Sequence, residues 1–73
     1  MEYVNVTSLA GFIDQIIDNG LTKEEVESRI GSSEFLRDQY MSMIQNGVVG
    51  NRIQFADLLI ERANDVKEWR ERA

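Results

Sequence analysis

Residues 20–31 read Gly-Leu-Thr-Lys-Glu-Glu-Val-Glu-Ser-Arg-Ile-Gly, and the fold follows from how this stretch starts and stops a helix. Thr22-Lys23-Glu24-Glu25 is a capping box, in which the Thr22 hydroxyl and the Glu25 carboxylate each satisfy a backbone N–H that a first helical turn leaves unpaired. Leu21 and Val26 bracket it as a hydrophobic staple. Val26 and Ile30, four residues apart, give a short helix one apolar face, and Gly31 reads as its stop, so the helix is predicted over residues 23–30.

The same punctuation extends in both directions. Upstream, Leu9, Phe12, Ile13, Ile16 and Ile17 recur at the i, i+3, i+4, i+7, i+8 spacing of an amphipathic helix. Thr7 or Ser8 can cap its start, and Asn19-Gly20 closes it. Downstream, Ser32 or Ser33 can cap a third helix over residues 34–46, with Phe35, Leu36, Tyr40, Met43 and Ile44 inward and Gly47 as its end. Val48-Val49 is expected to close the core between this helix and the next. Asn51 and Gln54 repeat the capping-box pattern, and the fourth helix turns Ile53, Ala56, Leu59, Ile60, Ala63 and Val66 inward. No strand-like alternation competes, so the class is all-α: a compact four-helix bundle over residues 1–66, followed by a charged helix end or tail over residues 67–73.

Composition narrows the chemistry. The chain has 73 residues, with no His, Cys or Pro, which suits one small domain. Without Cys there is no disulfide framework, zinc knuckle or thiol nucleophile, and without His the commonest general base and transition-metal ligand are missing. An enzyme is not expected, and neither a cofactor nor a metal site: no calcium-loop pattern is present, and Asp14 and Asp18 read as a solvated helix face. Glu2 and the lack of a basic residue before a long apolar stretch argue against a signal peptide. Uninterrupted apolar runs are two or three residues long where a membrane span needs about 20, so no membrane is expected, and a cytoplasmic setting agrees with the absence of Cys.

The order helix, short helix, tight turn, longer helix is that of a helix-turn-helix unit, and two stretches carry a family resemblance. Residues 20–31, GLTKEEVESRIG, resemble the G-L-T-x-E-E-[LV]-A-x-x-[LI]-G run of Cro and cI-type phage repressors and related bacterial regulators. Residues 40–47, YMSMIQNG, resemble the Y-[IV]-S-x-[IL]-E-x-G run that forms the second half of the recognition helix in that family. Together they cover about half the chain. The interval between the two runs is about one helical turn longer than the family pattern, and Glu27 stands where the family keeps a small residue.

The resemblance implies a small transcription regulator that binds DNA through its third helix. It would bring Ser33, Glu34, Arg37 and Asp38 to the major groove, with Gln39 or Gln45 as the candidate amide reader of bases. Arg37, Arg52, Arg62, Lys67, Arg70 and Arg72 are the available phosphate contacts.

Charge pulls the other way. Thirteen acids face eight bases, for a formal net charge of −5. Residues 1–36 hold seven acids and two bases, whereas residues 37–73 hold six of each, so the candidate reading half is neutral and no basic stripe stands out. Function resides in the site rather than the scaffold. The same chain therefore also suits a protein-binding inhibitor or adaptor, such as a phage protein that binds host RNA polymerase. Trp69 and Arg70, in the charged tail, are the candidate anchors for such a partner. The 3-4-3 spacing of Ala56, Leu59, Ala63 and Val66 also fits a homodimer seam along the last helix.

Overall fold

A computed structural model describes residues 8–72 of the chain. Four helices follow one another: α1 (Leu9–Asn19), α2 (Lys23–Ser32), α3 (Glu34–Gln45) and α4 (Arg52–Arg72). α4 packs on α1 and on α2, and α2 packs on α3. The protein is a small all-α bundle, as its periodicity predicts.

Local signals set most of the boundaries. Ser8 is the N-cap of α1, its Oγ accepting the Gly11 N–H at 3.0 Å; the alternative cap, Thr7, lies outside the described residues. Gly20 closes α1 at φ 59°, a left-handed conformation that costs an L side chain about 1 kcal/mol or more. Both halves of the Thr22 box form: Thr22 Oγ1 accepts from Glu25 N–H at 3.2 Å, and Glu25 Oε1 accepts from Thr22 N–H at 2.9 Å. At α4, Asn51 Oδ1 accepts from Gln54 N–H at 2.8 Å, but Gln54 Oε1 reaches back to Gly50 N–H at 2.6 Å, one residue earlier than in a standard box.

Gly31 does not stop α2. The helix runs one residue past it, Ser32 Oγ donates to the Ser28 carbonyl at 3.0 Å, and Ser33 N–H donates to the Arg29 carbonyl at 2.9 Å. Ser33 ends α2 in extended geometry and at once caps α3, where its Oγ accepts from Leu36 N–H at 3.3 Å. The joint is thus one residue long, against the three or four of a helix-turn-helix turn. At 31 the backbone is ordinary helix, and a side chain there would meet only the end of a long one. The Arg52 guanidinium lies over it, and a β-carbon there would stand 3.4 Å from Nη1.

Phe12, Ile13 and Ile16 of α1, Val26 and Ile30 of α2, and Leu36 of α3 meet Val49, Phe55, Ala56, Leu59 and Ala63 in one core. Two expectations need correction here. Ile53 points outward, half exposed, and Phe55 takes the inward position, fully buried with its ring 5.7 Å from that of Tyr40. Packing against the core fixes this register: Phe55, Ala56, Leu59 and Ala63 form the buried stripe, and Ile53 lies roughly opposite Phe55, at about 100° per residue. In the connector, Val49 enters the core while Val48 stays exposed.

Candidate interaction surface

α3 carries most of the residues expected to read DNA, and the structure separates them. Ser33 is only 3% exposed, with its side chain, N–H and C=O all engaged at the α2–α3 joint; the last accepts from Arg37 N–H at 2.9 Å. It is a buried structural cap that does not reach the surface of α3, which corrects its assignment to the reading face. Arg37 and Gln45 are exposed and, eight residues apart, lie on one side of α3 with Met41 between them. Gln39 is half-buried about 200° around the helix from Arg37 and does not join them. Arg52 rests over Gly31 near the carbonyl end of α2, where a cation is favoured by the helix dipole.

The electrostatics of this side are mixed. Glu34 and Asp38 are exposed on α3 beside Arg37. Elsewhere, carboxylates engage the bases. Lys23 Nζ lies 3.0 Å from Asp57 Oδ1, and that contact raises the Lys23 pKa above its ordinary value. Arg72 bonds Glu68 at 2.6 Å, and Arg70 donates to Asp14 and stands 4.0 Å from Asp18. Arg29 is half-buried, its Nε enclosed without a partner. Among the described residues, Arg29, Arg37, Arg52, Arg62 and Lys67 have no carboxylate within ion-pair distance, and they are distributed over three helices.

Residues 67–72 are not a separate tail. They continue α4 without a break, and Arg70 ties them to α1 through the two aspartates read as a solvated face. Trp69 and Arg70, adjacent in sequence, therefore diverge. Arg70 is engaged within the chain, whereas Trp69 is 70% exposed. The 3-4-3 row is also accounted for: Ala56, Leu59 and Ala63 face the chain's own core and cannot form a dimer seam.

Periodicity alone did not reveal the exposed apolar side chains around the α3–α4 turn. Met41 is 52%, Val48 56% and Ile53 50% exposed. Val48 N–H donates to the Met43 carbonyl at 2.9 Å, which folds the connector back on the last turns of α3. A second apolar feature is a groove of about 360 Å³ between α1 and α4, lined among the described residues by Leu9, Ile13, Met43, Leu58 and Val66, with Asp14 and Arg62 as its charged members. No described helix is long and apolar enough to cross a membrane. No protein-family model, curated protein or solved structure matches the chain.

Proposed function

We propose that this protein acts by binding another protein, as an inhibitor or adaptor, through the turn that joins α3 to α4. The observation that carries this reading is the exposure of Met41, Val48 and Ile53 around that turn. An exposed apolar patch rimmed by polar residues is a mark of protein contacts, and methionine suits a surface that must adapt to its partner. The neighbouring charges agree. Glu34 and Asp38 repel phosphate, while a protein partner with basic groups would pair with them.

Operator DNA, as a phage-repressor-like regulator would bind it, is the competing reading, favoured by the shared exposure of Arg37 and Gln45 on one side of α3. One experiment separates the two. The tagged chain and a Val48→Asp/Ile53→Asp variant are each incubated with lysate of the source cells, with and without nuclease. Protein docking predicts a stoichiometric partner that survives nuclease and is lost with the variant. Recovery that nuclease abolishes and the variant leaves intact would overturn it in favour of DNA.

A further inference from the structure

Leu58, Arg62, Asp65 and Trp69 follow one another on α4 at spacings of four, three and four. At about 100° per residue they fall in a stripe roughly 60° wide along one edge of the helix. This is the edge that borders the groove: Leu58, Arg62 and Val66 line it on the α4 side, and Trp69 extends the row beyond it. Neither Arg62 nor Asp65 pairs with any opposite charge among the described residues, and Trp69 is the most exposed of the large apolar side chains.

The row is its own complement. Its 4-3-4 spacing reads the same in both directions, and its chemistry runs apolar, cation, anion, apolar. Turned end for end about a point between residues 63 and 64, it meets itself with Leu58 opposite Trp69 and Arg62 opposite Asp65, twice over by symmetry. That is the isologous arrangement of a two-fold contact. Because Leu58 forms part of the groove wall, the opposing tryptophan is delivered onto Leu9, Ile13 and Met43.

We infer that the occupant of this groove is a second copy of the chain, in an antiparallel α4–α4 homodimer. The partner's Trp69 fills the groove and two Arg62–Asp65 pairs set the register. The seam differs from the Ala56-Leu59-Ala63 row, which is inside the monomer. It does not rest on docking at the α3–α4 turn, which uses other residues.

Sedimentation equilibrium of the full chain, from low micromolar to submillimolar, tests this, with Trp69 emission recorded on the same samples. The wild type is expected to dimerise as Trp69 emission shifts to the blue, and Trp69→Ala to abolish dimers while keeping the helical circular dichroism. Arg62→Asp and Asp65→Arg should each weaken the dimer about tenfold, and the double swap should restore most of the loss. A monomer at every concentration would overturn the inference, including one whose Trp69 shifts only when a different protein is added. So would a dimer indifferent to the charge swaps and to Trp69→Ala.

Discussion

Arg70, two residues from the end of α4, donates a hydrogen bond to Asp14 in the middle of α1, fifty-six positions earlier in the chain. Asp18, one turn further along α1, stands 4.0 Å from the same guanidinium. Both sides of this contact are roughly half exposed, so water and salt screen it. Arg70→Ala is expected to lower stability by about 0.2–1 kcal/mol at low salt. The difference should shrink in molar salt. Urea unfolding at the two ionic strengths measures this, and an effect that grows with salt would point to a packing role instead.

Two glycines with opposite roles give opposite expectations. Gly20→Ala places a β-carbon at φ 59° and should cost about 1 kcal/mol or more. Gly31→Ala, inside α2 in ordinary helical backbone, should gain up to about 1 kcal/mol from reduced freedom of the unfolded chain, because the nearest neighbour is the mobile end of the Arg52 side chain. Melting temperatures of the two variants should move in opposite directions. A loss at Gly31 would mean that Arg52 cannot yield.

The Thr22 box makes stability depend on pH. Hydrogen bonds from Thr22 hold the Glu25 carboxyl below its ordinary value, with Arg29 adding a smaller pull. A carboxyl depressed in the folded state stabilises when ionised, so its contribution is present at neutral pH and is lost as the pH falls through its folded value. Glu25→Gln keeps a reaching side chain but removes the charge. Its unfolding midpoint should fall less steeply than that of the wild type between neutral and strongly acidic pH, and parallel acid limbs would remove Glu25 from the account.

The register of α4 predicts a sharp contrast between two neighbours. Phe55→Ala empties a fully buried site and should cost about 3–5 kcal/mol, a large fraction of the about 5–15 kcal/mol typical of a whole domain. Ile53→Ser, two residues away and half exposed, should stay within about 0.5 kcal/mol. Urea midpoints decide it, and comparable losses at both positions would mean that α4 is rotated from the register described.

What could be read from the sequence was whatever depends on neighbours three or four residues away. The Thr22–Glu25 box, the Ser8 and Asn51 caps and the Gly20 terminus are all such contacts, and they place α1 and the starts of α2, α3 and α4 within a residue. Less legible was whatever another helix decides. Gly31 reads as a stop because glycine usually ends helices, whereas the turn at Ser33, which ends α2 and caps α3, sets the boundary. Ile53 and Phe55 offered two apolar faces for α4, and only packing against Tyr40 and the core chooses between them. Of the candidate site residues, Arg37, Gln45, Arg52 and Trp69 are exposed as expected, whereas Ser33 is consumed by the joint, Gln39 turns away and Arg70 is held by α1. The exposure of Ile53 is hidden because apolar residues at helical spacing ordinarily signal core, and that of Val48 because an apolar connector pair reads as closing the core.

The proposed binding of protein rather than nucleic acid is tested by titrating the chain against labelled duplex DNA from the source genome, read by fluorescence anisotropy at low and then rising salt. No saturable binding is expected at low salt, with Arg37→Ala and Gln45→Ala indistinguishable from the wild type. Tight binding that weakens steeply with salt, with a log–log slope that Arg37→Ala reduces by about one, would contradict it.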